Sequence, residues 1–422
     1  MTNAFLAKAL IAALLVPSSV GPVANRLRAR LREFSPLLSV SLFAAMRFGL
    51  AIVVFVLIGM RLPNDALNYY SWFGGAALDG LRDARSPYSP GFDYALAGLL
   101  WAFGSPLSFV FFVTAAEVAA FAITIHVVRR EDPALATNIA FLWLVSPISL
   151  FHVVLGGRND ALVLLTWSAV LWATNRGRPV AGGVVGAVGL ACSKILAVFA
   201  LLPLAVESLA RAIRGGTAFL ISAALFTAGF VALQTDVTGV LNEGRMVTSG
   251  NVWSLPYILW QSGPRAAEPW QFVVCASALV AAIVLLRQRP VLSRCRQSLR
   301  LTGTVGCVFL MFSPKSFTGY AVIFLPGVLF LIDSLRARTE TWIAAAFLVA
   351  CSFEPSLWFY FSQGTSLEGS RWGRPAMLIA DAALLLGYSM LVRRGILASQ
   401  DERERCVERE RASRVEADPV LA

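Results

Sequence analysis

The residues able to do chemistry in this chain are few, and they fall in short segments between long apolar runs. Those segments carry Asp65, Asn68, Tyr69 and Tyr70; Arg158, Asn159 and Asp160; Lys194; Arg245 and Asn251; Lys315 and Tyr320; and Arg371 and Arg374. Such a set offers carboxylates to accept a proton and fixed cations to stabilise a departing anion. The two histidines, His126 and His152, sit inside apolar runs, where a satisfied helix residue is the ordinary role. Ser-His-Asp hydrolysis and a His-rich metal site are therefore poorly supported. The six cysteines show no CxxC spacing, and most lie in apolar runs. Buried free thiols are expected, with neither a disulfide framework nor a zinc site.

The elements that must hold these residues are set by composition. Hydrophobic residues make up 57% of the 422-residue chain and charged residues only 14%, against about 25% in a soluble globule. Mean hydropathy is +0.68. So few charges cannot cover a water-facing surface, and lipid is the expected solvent. The formal net charge of +11 would suggest nucleic acid in a soluble protein. Here the arginines cluster between apolar runs, as the positive-inside rule describes, and no nucleic-acid partner is expected.

The basic cluster Arg26, Arg28, Arg30 and Arg32 should stay cytoplasmic, and residues 37–60 form the first reliable span. Residues 4–16 read as a signal-like stretch, an interfacial helix or an extended start. The segment 61–105 reads as an external loop with interfacial or re-entrant helices, because its apolar stretch 94–103 is too short to span. Residues 180–204 are apolar but interrupted by Cys192-Ser193-Lys194. A lysine at mid-membrane costs about 2.5–3.5 kcal/mol on insertion scales. Two shorter helices meeting at Lys194 on the outer side avoid that cost. The expected fold is an all-α polytopic bundle of about twelve spans, with both termini cytoplasmic and no internal repeat. Residues 1–400 form one membrane domain, and 401–422 a charged cytoplasmic tail. With this topology, the chemistry-bearing segments fall on the external side. Two carboxylates, Glu117 and Glu354, lie inside apolar runs; Glu354 could reach an external cavity, whereas Glu117 has no evident partner.

Five segments in order resemble the GT-C glycosyltransferases, the polytopic enzymes that use polyprenyl-phosphate sugars. The closest pattern is the catalytic subunit of the GPI-anchor first mannosyltransferase (the PIG-M family) and its bacterial relatives. The segments are Asp65 with Tyr69-Tyr70, Arg85-Ser-Pro-Tyr88 and Phe92-Asp-Tyr94; Gly156-Gly-Arg-Asn-Asp160; Lys194 after a Gly-rich helix; Arg245 with Gly250-Asn251-Val-Trp-Ser254 and Tyr257; and Phe312-Ser-Pro-Lys315 with Tyr320 and Pro326. They cover residues from about 60 to 330. One departure matters: the family's Asp-x-Asp becomes Asp65-Ala66-Leu67-Asn68, which leaves one carboxylate and makes a divalent metal doubtful.

The resemblance implies a sugar, most often mannose, moving from a polyprenyl-phosphate donor to a glycolipid, lipid-linked or cell-envelope glycan acceptor. This would occur at the external face of the cell membrane. Asp65 is the choice for general base, although Asn64-Asp65 after Pro63 also suits a helix start. Lys194, Lys315, Arg245 and Arg158 are the candidates for the leaving phosphate; the two lysines could instead snorkel to the interface. Asn68, Tyr69, Tyr70, Asn159, Asp160, Asn251 and Tyr320 are candidates for binding substrate. Asp160 could equally cap the helix after it, and aromatic residues such as Tyr69, Tyr70, Trp72 and Trp253 also suit an interfacial belt. Arg371 and Arg374 suit lipid headgroups. The rival readings are a transporter or flippase of lipid-linked sugars, which would place polar groups on broken helices at the midplane, and a non-catalytic membrane scaffold.

Overall fold

The computed structural model describes residues 15–16, 36–73, 88–235, 237, 247–260, 267–287, 293–335, 337–362 and 373–417. The described residues are helical, without a strand. The first helix, α1 (Pro36–Ala51), runs on into a π-helical turn, Ile52–Leu57. Two short helices follow, α2 (Asn64–Phe73) and α3 (Pro90–Phe103). Then come α4 (Leu107–Glu131), α5 (Pro133–Leu144), α6 (Pro147–Val154), α7 (Asp160–Asn175) and α8 (Pro179–Cys192). A 3-10 helix, Ile195–Val206, leads to α9 (Leu209–Ala232), α10 (Ser254–Trp260), α11 (Pro269–Arg287) and α12 (Arg294–Phe312). The 3-10 turn Thr318–Val322, α13 (Leu325–Asp333), α14 (Arg338–Ser362) and α15 (Gly373–Ala417) complete the bundle.

Among the described residues, five helices are long and apolar enough to cross a membrane, or six with α5 and α6 taken as one broken span. The chain is thus a multi-pass helical membrane protein. The remaining expected spans are shorter or more polar. α7 has 16 residues. α12 has 19, begins in the basic stretch Arg294–Arg300, and is buried along nearly its whole length. Helices enclosed by other helices need not be apolar all round, and residue-by-residue hydropathy does not separate them. The apolar run 180–204 is two helices broken at Ser193-Lys194, as its interrupting lysine predicts. The charged tail does not start a new element: α15 runs without interruption into it.

Local sequence explains the element ends. Proline occupies the first turn of α3, α5, α6 and α8, where its missing N–H costs nothing. Gly104 closes α3 at φ +60° and donates its N–H to Leu100 O, a left-handed cap that suits glycine. Asp132 caps α5, accepting the Leu135 N–H at 2.9 Å. α8 and α9 meet at Gly183 and Gly215; a Cβ on Gly183 would lie 2.1 Å from the Gly215 carbonyl oxygen, so only small residues permit this approach.

The break between α5 and α6, a bend of 45°, has a specific cause and a specific remedy. Pro147 has no N–H for the Trp143 carbonyl one turn back. The Ser146 N–H turns back to that carbonyl at 3.1 Å, and Arg47 of α1 adds a second donor at 2.8 Å, with further bonds to Leu144 O at 3.2 Å and Ser149 Oγ at 2.9 Å. Its charge is balanced by Glu117 of α4 at 3.5 Å, and both side chains are fully buried. Trp143 Nε1 and Ser149 Oγ both donate to Glu117 Oε1. Glu117 therefore has a partner, and the partner is an arginine in the first span. Phe43, Phe121 and Trp143 pack around the pair, with the Arg47 guanidinium 4.3 Å above the Phe43 ring. Cys275, Cys295, Cys307 and Cys351 are buried free thiols, but Cys192 is exposed: it sits at the open end of α8, where the helix stops.

Candidate active site

Pro63 brings α2 against the turn before α7. A Cβ on Gly157, whose φ is +57°, would lie 3.2 Å from Pro63 Cγ, so this glycine lets the two segments close together. The closure places Asp65, in the first turn of α2, beside Arg158 and Asn159. From the other side, the turn after α12 brings Lys315, Phe317 and Tyr320; Gly319 lies directly against the Arg158 side chain, its Cβ position 3.2 Å from Arg158 Cδ. The α8 break adds Lys194. The N-terminus of α3 abuts that break, through the Ser89 N–H to Ser193 O bond and through Gly91, which leaves no room for a side chain beside Ala191 O.

These segments enclose a cavity of about 590 Å³. Asp65, Tyr88, Arg158, Asn159, Lys194, Ser313, Lys315 and Tyr320 form its polar part. Ile195, Leu196, Phe309 and one face of α11 (Phe272, Cys275, Ala276 and Leu279) form an apolar wall. Asp160, fully buried in the first turn of α7, pairs with Lys194 at 2.6 Å. The Lys194 ammonium also lies 4.9 Å from the centre of the Tyr320 ring, and the Arg158 guanidinium lies 5.5 Å from that of Phe317. Burial works against the charge of Arg158, but Asp65 and Asp160 outweigh it and hold its pKa above the ordinary value. Three cations, Arg158, Lys194 and Lys315, thus share the site with two carboxylates, Asp65 and Asp160. The balance suits an anion, and the apolar wall beside it suits a hydrocarbon chain.

The structure brings together Asp65, Arg158, Asn159, Lys194, Lys315 and Tyr320, with Asp160 immediately behind Lys194. Other candidates lie elsewhere. Tyr69 is 2% exposed and packs edge-on against Tyr88, Phe92 and Phe109, away from the lining. Asn68 and Tyr70 are exposed on α2, and the Tyr70 hydroxyl donates to Gly104 O at 3.4 Å. Asn251 is fully buried and holds its own turn, accepting from the Trp253 and Ser254 N–H groups and donating to Thr248 O. Trp253 donates its indole N–H to Phe312 O at 2.6 Å. Glu354 does not line the cavity; it accepts the Thr318 hydroxyl behind the wall and feels the charge of Arg158. Arg374 is half-buried at the start of α15. Arg245, Arg371 and the side chains of Trp72 and Tyr257 lie outside the described residues.

The sequence reading missed the apolar wall and the part played by Tyr88. α11 is apolar on every side, so no periodicity marks the face turned to the cavity. Tyr88 was legible only as part of Ser-Pro-Tyr. Among the described residues, no three His, Cys, Asp or Glu side chains converge as a metal site.

The chain matches no protein-family model and no curated protein sequence. Among solved structures it is similar to ArnT from Cupriavidus metallidurans bound to undecaprenyl phosphate. That match has 13% identity and a TM-score of 0.39, covering 95% of this chain and 78% of that one. The likeness is distant.

Proposed function

We propose that this chain is a membrane glycosyltransferase of the GT-C type. In this reading it moves a sugar, with mannose the first choice, from a polyprenyl-phosphate donor to a lipid-linked or cell-envelope glycan at the external face of the cell membrane. One observation carries the proposal. A single cavity joins three cations and a carboxylate to an apolar wall, which is what a phosphate head, a sugar and a hydrocarbon tail require together.

The step assigned to these residues is one displacement. The acceptor hydroxyl oxygen bonds to the anomeric carbon, and Asp65 takes the hydroxyl proton. The bond from the anomeric carbon to the phosphate oxygen breaks, and its electron pair leaves with the polyprenyl phosphate. Lys194, Lys315 and Arg158 stabilise that anion, in a setting where fixed charges need no reorganisation. Asp160 holds Lys194 in place, and Asn159 and Tyr320 offer hydrogen bonds to sugar hydroxyls. A single displacement inverts the anomeric centre.

The test is transfer of radiolabelled mannose from polyprenyl-phosphate mannose into membrane lipids, with wild type compared with Asp65→Asn. The variant should insert normally and lose about 10²–10⁴-fold in rate, the range of a general base. If the wild type is inactive with mannose and with a panel of other lipid-phosphate sugars, the glycosyltransferase reading fails.

A further inference from the structure

Two carboxylates outside the cavity are tied to its walls. Glu354 on α14 and Asp381 on α15 are both fully buried, and they interact with each other electrostatically. Each is reached by a hydroxyl from a different segment: Thr318 Oγ1 donates to Glu354 Oε2 at 2.6 Å, and Ser254 Oγ lies 2.6 Å from Asp381 Oδ2 and 2.6 Å from Asn251 O, its one proton shared between them. Asp381 also takes the Gly250 N–H. Thr318 opens the turn that carries Tyr320 and lies three residues after Lys315. Ser254 ends a segment bonded to that same region: the Thr248 N–H donates to Pro314 O at 2.9 Å, and the Val252 N–H to Met311 O at 3.0 Å. Gly250, at φ +82°, lets the segments meet; a Cβ there would lie 3.2 Å from Thr318 Cγ2.

We propose that Glu354 and Asp381 are positioning residues. Each clasps one of two interlocked loops through a hydroxyl, and together they hold the 313–320 segment, with Lys315 and Tyr320, in register with Asp65 across the cavity. The inference rests on the cavity being the transfer site. The physical reason is that residues 247–253 and 313–317 lie between helices, where no helical ladder fixes them. A hydroxyl bonded to a buried acid away from water is a point of attachment; without that acid the Thr318 hydroxyl loses its acceptor, and the Ser254 hydroxyl turns wholly to Asn251 O within its own segment.

The experiment is hydrogen–deuterium exchange on the full chain in detergent micelles, with transfer kinetics alongside. Glu354→Leu and Thr318→Val break one clasp from either side; Asp381→Leu and Ser254→Ala break the other. Thr318→Val and Ser254→Ala are mild enough to fold if the Leu variants do not. Glu354→Gln and Asp381→Asn keep an oxygen that can accept the hydroxyl. Exchange should rise about tenfold, the size of one lost hydrogen bond, in residues 313–322 for the first pair and 247–254 for the second. The other helices should keep wild-type exchange. Transfer kcat/KM should fall by a similar factor and be restored in the Gln and Asn variants. Unchanged exchange in those two segments, acceleration spread over the whole bundle, or Gln and Asn variants as impaired as the Leu variants would each overturn the proposal. If the wild type transfers no sugar while the exchange pattern holds, the transfer reading falls and the clasps stand.

Discussion

Lys194 bears on folding and, in the proposed reaction, on the leaving phosphate. It breaks an apolar run, so the chain must turn there, and its ammonium is then neutralised by a buried carboxylate, Asp160, at 2.6 Å. Removing one member of a buried pair leaves the other uncompensated, which costs about 3–5 kcal/mol. Lys194→Met should therefore lower the melting temperature of the purified protein, and adding Asp160→Asn should recover most of the loss. The double variant should remain inactive in transfer, because the cation itself is gone. Equal melting temperatures for wild type and Lys194→Met would remove the pair from this account. Tyr69 and Asn251 teach the reverse lesson. Their types suit sugar binding, yet one fills an aromatic core and the other caps its own turn. Polar type is legible in a sequence; the direction a side chain faces is not, when apolar residues surround it on all sides.

At the scale of elements, the Arg47–Glu117 pair repairs a broken helix. Pro147 interrupts the helical ladder, the Ser146 N–H turns back to the Trp143 carbonyl, and Arg47 reaches from α1 to brace the same oxygen. Arg47→Met should destabilise by about 3–5 kcal/mol, since it strands Glu117 inside the bundle. Arg47→Met with Glu117→Gln should be milder, and a thermal-shift comparison of the two checks it. This pair was illegible in the sequence because its members are 70 residues apart and neither breaks its apolar run with a turn signal. The Lys194 break was legible because a helix boundary answers the same cost that marks it. At the C-terminal end of α4, about 21 Å from Glu117 at 1.5 Å per residue, Asp132 caps α5 and pairs with Arg296. Burial alone would raise the Asp132 carboxyl, but the Leu135 N–H and Arg296 hold it below its ordinary value of 3.8. A depressed carboxylate stabilises the fold above the unfolded value and loses that contribution as pH falls through the folded one. The gap in melting temperature between wild type and Asp132→Asn should thus be present at neutral pH and close progressively below about pH 4. A gap that does not change with pH would show that the cap, which Asn also provides, is all that Asp132 supplies.

For the molecule as a whole, the polar segments that meet at the cavity could be picked out because they interrupt apolar runs. The helices between them were harder to count because several are enclosed by their neighbours. One consequence follows from the hairpin at Lys194. α8 has 14 residues and is about 21 Å long. The 3-10 helix after it has 12 residues and is about 24 Å long. Neither matches a hydrocarbon core about 30 Å thick, yet Val180, Val184, Val188, Ile195 and Val198 turn exposed apolar faces outward. A bilayer in contact with those faces would thin to meet them. Under the proposed transfer reaction, such a hydrophobic mismatch would make turnover depend on membrane thickness. In vesicles of graded acyl length, turnover should peak with shorter chains and decline as the bilayer thickens, whereas a profile flat across chain length would mean that α9 shields the hairpin from lipid.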